Sequence, residues 1–173
     1  MSARAIVLMG VTGAGKTTVG RLLARRLGVR FLEGDAYHPP ANIAKMRAGV
    51  PLDDADRWPW LEAILRDLRC ALDRGETVVL ACSALKRAYR DFLRRAGAGV
   101  VFVHLAGPES VIAERLARRR HEYMPPSLLP SQFAALEDPS GEPDVITVAI
   151  ALPPEAIVEE IASRFGGSPA RTG

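Results

Sequence analysis

The 173-residue chain is short enough to read as one domain and long enough to bury a core. Hydrophobic residues make up 48% of it, which excludes a disordered chain, while 23 lysines and arginines against 20 aspartates and glutamates leave a formal charge of only +3. That balance suits anionic small molecules as well as nucleic acid and does not choose between them.

The first apolar run, Ala5–Met9, reads as a buried strand, and Gly10-Val11-Thr12-Gly13-Ala14-Gly15-Lys16-Thr17 follows it directly. Behind this stretch, Val19, Leu22, Leu23 and Leu27 recur at helical spacing up to Gly28. Strand, glycine-rich loop and helix are the context of a phosphate-binding P-loop. The glycines let backbone N–H groups turn inward around a polyphosphate, and the helix N-terminus adds partial positive charge. Lys16 supplies a full charge for the β- and γ-phosphates, and the Thr17 hydroxyl suits Mg²⁺. A nucleoside triphosphate is the expected ligand.

Val29–Leu32 is a second short strand, delivering Glu33-Gly34-Asp35 to its carboxyl end. A loop through His38-Pro39-Pro40 leads to a helix over 41–48, stopped by Gly49, and then to a polar, turn-rich stretch from Pro51 to Arg57. A long amphipathic helix follows, with Trp60, Leu61, Ile64, Leu65, Leu68 and Leu72 on one face and Gly75 as its stop. Thr77–Ala81 is the third strand, ending at Cys82-Ser83, and a basic helix runs from Lys86 to Ala96. Val100–Leu105 is the fourth strand, with a helix from Pro108 to about Arg118 after it. An arginine-rich, proline-bearing segment, 118–126, precedes a helical stretch over 128–136; the fifth strand is Val145–Ile150 and the last helix Glu155–Phe165. Residues 166–173 are a Gly/Ser/Pro tail with nothing to bury and are expected to be disordered.

Five apolar strands alternating with helices predict an α/β fold, a parallel sheet covered on both faces. Its ligands belong at the carboxyl ends of the strands, which gathers residues 10–17, 33–35 and 83–86, with Gly107, along one edge. Among P-loop proteins, motors and GTPases place a metal-binding aspartate after a later apolar strand. Here the third strand ends in Cys82-Ser83 and the fourth in Leu105-Ala106, so the only strand-end acids are Glu33 and Asp35. Two acids one residue apart point to the same side. One can reach the metal's water shell and the other a substrate hydroxyl, as phosphoryl transfer to an alcohol requires; the bland alternative is Asp35 as a turn former or cap. Arg115, Arg118, Arg119 and Arg120 crowd the end of one helix, as in a loop that closes over ATP, with a solvated helix face or a weak nucleic-acid patch as the alternative. Only Tyr123 could stack on a base there.

Cys70 and Cys82 have no metal-like spacing and are expected to be buried thiols in a reducing cytosol. His38, His104 and His121 likewise lack ligand spacing, and His104, inside a strand, is expected to be packed. Ser83-Ala84-Leu85-Lys86 matches a Ser-x-x-Lys pattern but lacks the companion motifs of penicillin-recognising enzymes. No secretory signal and no apolar run of membrane-spanning length is visible, so a cytoplasmic, soluble protein is expected.

With these residues assembled, the chain resembles the gluconate kinases, small P-loop kinases related to shikimate and adenylate kinases. The resemblance runs from about Ile6 to Phe165. It rests on Met9–Thr17, Gly34-Asp35 with His38-Pro39, Asn42-Ile43, Lys45-Met46, Gly49, Pro51-Leu52, Asp54, Asp56-Arg57 and Pro59-Trp60-Leu61. It continues through Cys82–Lys86, Tyr89-Arg90-Asp91, Leu128-Leu129 and Ser131-Gln132-Phe133. The P-loop is generic; the segments Gly34–Leu61 and Cys82–Asp91 are far more specific.

The resemblance implies a three-layer P-loop NTPase fold over residues 1–165, with a helical substrate-binding segment near 38–74 and a lid near 118–130. It implies ATP-dependent phosphorylation of the 6-hydroxyl of D-gluconate, with ATP and Mg²⁺ as cofactors and no nucleic-acid or membrane partner; it leaves a homodimer open. Gly10, Val11, Thr12, Gly13, Ala14, Gly15, Lys16, Thr17 and Thr18 would hold the nucleotide, Lys16 with a catalytic part, and Thr17 and, through water, Glu33 the metal. Asp35 would orient or deprotonate the 6-hydroxyl; Arg57, Lys86 and Arg90 would meet the carboxylate and hydroxyls beside His38; Arg115 and Arg119 would reach the ATP phosphates from the lid. One departure stands out: relatives commonly read Arg-Lys-Gly-His-Phe in the lid, where this chain has Arg119-Arg120-His121-Glu122-Tyr123. A kinase of the same fold for shikimate or another sugar acid is the nearest rival, although Cys82-Ser83-Ala84 replaces the Gly-Gly-Gly turn of shikimate kinases. A non-catalytic nucleotide-binding regulator is the rival of another class.

Overall fold

The computed structural model describes residues 2–118 and 126–165. Five strands, β1 (Ala5–Met9), β2 (Arg30–Glu33), β3 (Val78–Ala81), β4 (Val100–Ala106) and β5 (Val145–Ala149), form one parallel sheet in the order β2-β3-β1-β4-β5. The helices are α1 (Lys16–Leu27), α2 (Pro40–Arg47), α3 (Asp54–Asp73), α4 (Arg87–Arg94), α5 (Glu109–Ala117), α6 (Leu129–Ala135) and α7 (Pro154–Arg164), with short 3₁₀ turns at Gly34–Tyr37 and Pro126–Leu128.

Side chains alternate along β1 between two cores. Ile6 and Leu8 pack with Val19 and Leu23 of α1, Ile112 and Leu116 of α5 and Ile161 of α7. Ala5, Val7 and Met9 pack on the other face with Leu61, Ile64 and Leu68 of α3 and Tyr89 and Leu93 of α4. Helices thus cover both faces, as the continuous apolar strands require. His104 in β4 is buried, as its strand location predicts.

α3 begins within the stretch that reads as polar turn. Asp53 accepts from the Asp56 N–H at 2.8 Å while the Asp56 carboxylate accepts from the Asp53 N–H at 3.1 Å, a reciprocal cap that starts the helix at Asp54. Cys70 corrects the expectation of two buried thiols. It lies between the inward positions Leu68 and Ala71 of α3 and is exposed; Cys82 is buried. Among the described residues, no helix is long and apolar enough to cross a membrane. The expected disordered tail, 166–173, and the lid residues 119–125 lie outside the described residues.

Candidate active site

The carboxyl edge of the sheet opens into a cleft of about 440 Å³. At one end stands the P-loop. Gly15 has φ +95°, a left-handed conformation that lets the loop turn into α1, and open space faces it where a Cβ would be. α1 has no side-chain cap and no acid in its first turn, so its leading N–H groups are left to an anion. Lys16 is half-buried and folds back, Nζ donating to the carbonyls of Gly10 at 2.9 Å and Val11 at 2.8 Å. Burial lowers its pKa, against the opposing pull of Asp35, Cys82 and Glu33.

Glu33 and Asp35 come from the end of β2, beside the P-loop. The Thr17 hydroxyl donates to Glu33 Oε2 at 2.6 Å, which puts two hard oxygen donors together where the phosphates would end. A Mg²⁺ ion shared with phosphates needs only one or two such protein ligands, so the donor set fits that ion. Gly34 between the acids sits against β3: a Cβ there would lie 2.2 Å from the Ala81 carbonyl oxygen. Its own carbonyl accepts from Trp60 Nε1 at 2.7 Å, tying the acidic turn to α3.

Past Asp35 the wall is formed by His38 and Arg57. The His38 ring stacks on Trp60 with centroids 4.3 Å apart. Asn42 Nδ2 donates to the Asp56 carbonyl oxygen at 2.9 Å, which fixes the orientation of its amide, and the same nitrogen meets His38 Nδ1 at 3.2 Å. Nδ1 is therefore the acceptor, and the neutral ring carries its proton on Nε2. Burial pulls the His38 pKa down to about 4, with Arg57 adding to the effect and Asp35 opposing it, so the ring is neutral near pH 7. Arg57 lies over the Tyr89 ring and donates to its hydroxyl at 3.2 Å.

The structure brings Thr12, Gly13, Gly15, Lys16, Thr17, Thr18, Glu33, Asp35, His38 and Arg57 onto one cleft. Gly10 and Val11 contribute through the carbonyls that hold Lys16, and Ala14 is buried behind the loop. Lys86 does not line the cleft; its Nζ pairs with Asp54 at 2.9 Å, and the Tyr89 hydroxyl donates to the same carboxylate. Arg115 donates to the Ile150 carbonyl at 2.8 Å, at the end of β5. Arg119 lies outside the described residues.

Arg90 is a correction: it is 0% exposed and cannot meet a substrate. Its guanidinium donates to both oxygens of Glu142 and to the carbonyls of Ala84, Leu85 and Glu137. On α4 it precedes the buried Leu93 by three residues, so its place on the inward face was the available signal. Ala84, which it holds, is the one non-glycine with positive φ (+44°) among the described residues, and its neighbours Ser83 and Leu85 line the cleft. The burial of Cys82 pushes its thiol up to about 12, which leaves it an inert neutral group. The sequence assigns no role to Gln132 of α6. It lines the cleft, and its Oε1 accepts the Thr12 N–H at 2.6 Å.

The family described as "AAA domain" matches residues 6–138. A gluconokinase of Gluconobacter oxydans (strain 621H) is 49% identical over 162 residues, 94% of this chain and 91% of that protein. The crystal structure of a gluconokinase from Sinorhizobium meliloti 1021 is 50% identical, with a TM-score of 0.84 over 94% of this chain and 91% of that one. That of an unliganded sugar kinase from Janibacter sp. HTCC2649 is 43% identical, with a TM-score of 0.90 over 97% of both chains.

Proposed function

The chain belongs to the gluconokinases, within the P-loop kinases, and from that premise we propose that it transfers the γ-phosphoryl group of ATP to the 6-hydroxyl of D-gluconate, giving ADP and 6-phospho-D-gluconate. The observation that carries the reading is one cleft lined together by the P-loop, by Glu33 and Asp35, and by Arg57 with His38. A triphosphate on the P-loop then points its last phosphorus at the acids, where an acceptor hydroxyl must lie.

Residues 38–74 supply the acceptor wall. Arg57 offers a planar two-pronged donor for a carboxylate, and the His38 Nε2–H a neutral donor for a polyol hydroxyl. Asp35 orients the 6-hydroxyl and takes its proton as the oxygen attacks phosphorus. The bond from that phosphorus to the β,γ-bridging oxygen breaks, and its electron pair leaves with ADP. Lys16 leaves the Gly10 and Val11 carbonyls for the phosphates. Thr17 and, through water, Glu33 would hold Mg²⁺, which when bound neutralises charge on the phosphate oxygens. Arg115 near the end of α5 and Arg119 just after that helix would meet the ATP phosphates. On this reading the partners are small molecules and the setting is the cytoplasm.

The test is ADP release by the purified protein with ATP and Mg²⁺, offered D-gluconate, shikimate, other sugar acids or no acceptor. Stimulation by D-gluconate with a phosphorylated product by mass is the expected result. Stimulation by another acid alone moves the substrate assignment, and no stimulation by any acceptor overturns the kinase reading.

A further inference from the structure

The Val11–Gly13 corner of the P-loop is held by the two helices that flank the arginine-rich segment. From α5, which precedes that segment, Leu116 and Ile112 press on Gly13 so closely that a Cβ there would lie 2.8 Å from Leu116 Cγ. From α6, which follows it, Gln132 accepts the Thr12 N–H at 2.6 Å while being only 8% exposed itself. The rest of α6 is anchored independently of this bond. Ser131 Oγ donates to the Leu128 carbonyl at 2.7 Å, Leu128 and Leu129 are buried, and the Glu137 N–H donates to the Leu85 carbonyl at 2.8 Å. One short segment therefore touches the P-loop in its middle and the Ser83–Leu85 loop at its end.

We propose that Gln132 is a positioning residue for the nucleotide: its carboxamide oxygen fixes the Thr12 amide, and with it the corner from which the phosphate-binding turn springs. The inference rests on the ATP-binding reading above. A backbone N–H in this half-buried corner can be satisfied by Gln132, by water or by reorienting the peptide, and only the first keeps the corner fixed. Removing the acceptor leaves the N–H to water or turns the Thr12 peptide, and a turned peptide carries with it the Val11 carbonyl that holds Lys16 Nζ at 2.8 Å. The helices are held by their own buried leucines, so the effect falls on the cleft rather than on the fold.

The experiment measures Mg·ATP binding directly, by calorimetry without acceptor, for the wild type, Gln132→Leu and Gln132→Glu, alongside steady-state KM values for both substrates. Gln132→Leu keeps the volume and loses the acceptor; its affinity for Mg·ATP is expected to fall about tenfold while the gluconate KM stays within about twofold. Gln132→Glu keeps the acceptor but adds a negative charge facing the triphosphate. Its ATP affinity is expected to be poor at pH 8 and to recover, relative to wild type, as the pH falls toward about 4.5 and the new carboxyl is protonated into a mimic of the amide. A residue that merely stabilised the fold would give no such pH-dependent rescue. Unchanged ATP affinity in Gln132→Leu, or a Gln132→Glu deficit flat across that pH range, overturns the proposal, and the second outcome decides the matter even when Gln132→Leu does not fold. A wild-type protein that fails to bind Mg·ATP overturns the underlying reading instead.

Discussion

Glu142→Gln tests the buried ion network behind the acceptor loop. Glu142 is 6% exposed; its two oxygens take Arg90 Nε and Nη2 at distances between 2.7 and 3.2 Å and Arg94 Nη2 at 2.7 Å. Removing one partner of a buried pair costs about 3–5 kcal/mol, because the other charge stays behind without compensation. Here Arg90 keeps the carbonyls of Ala84, Leu85 and Glu137, and Arg94 keeps both oxygens of Asp144, so the low end, about 3 kcal/mol, is expected. For a chain of this length that is a fall of about 6–12 °C in Tm. Burial by itself raises the Glu142 pKa, but the hydrogen bonds from Arg90 and Arg94 outweigh it and hold the carboxyl below its ordinary value of 4.5. A carboxyl depressed in the folded state contributes stability that is fully present above its unfolded value and is lost as the pH falls through the folded one. Urea unfolding followed by the fluorescence of Trp58 and Trp60 should give a gap of about 3 kcal/mol between wild type and variant at pH 7, constant down to about pH 5 and narrowing below pH 4. A gap under about 1 kcal/mol at pH 7, or one that widens with acid, would refute the reasoning.

Gly34→Ala puts a Cβ 2.2 Å from the Ala81 carbonyl oxygen, a backbone atom that cannot swing aside; a loss of about 1–3 kcal/mol in the same urea assay is expected. Asp35→Asn should lower turnover at least about 100-fold with Mg·ATP binding by calorimetry nearly unchanged; near-normal turnover would remove Asp35 from the proton-accepting role. The His38 ring, followed by NMR, should stay neutral down to about pH 4. Because the unfolded ring takes its proton near 6.5, stability should fall as pH drops from about 6.5 toward 4, and a His38 midpoint near 6.5 in the folded protein would contradict the buried, Asn42-anchored ring.

The elements that position the phosphates were legible because their signals are local. Gly15 announces a left-handed turn, the apolar run Ala5–Met9 a strand buried on both faces, and Val19 and Leu23 the inward side of α1. The strand-end rule then brought Glu33, Asp35 and the P-loop to one cleft without knowledge of any contact. What stayed hidden was pairing over distance. Arg90 reads as a substrate-facing arginine until Glu142, 52 residues away, is placed against it. Gln132 shares a helical face with Leu129, and a polar residue on a buried stripe demands a partner, yet nothing local says that the partner is the Thr12 amide. Asp53 and Asp56 look like turn formers because the cap they make is reciprocal, and the second half of it belongs to the helix.

Charge then sets a requirement that the described cleft does not meet alone. Among its described lining residues, Lys16 and Arg57 are opposed by Glu33 and Asp35, and His38 is neutral, so the walls sum to about zero. On the proposed reading the ligands arrive with a net negative charge, Mg·ATP and a sugar acid each contributing. On that reading the α1 N-terminus and further cations would meet the deficit, and the sequence places Arg118, Arg119 and Arg120 directly after α5, the helix whose Leu116 already presses on the P-loop corner. The neighbouring Glu122 subtracts a charge from that segment. Two consequences follow together: ATP affinity should depend on ionic strength more steeply than the neutral described walls account for, and Glu122→His should strengthen it, most at low salt, where screening is least. Glu122→His with ATP affinity equal to wild type at about 10 mM ionic strength would mean that this segment does not meet the charge deficit of the cleft.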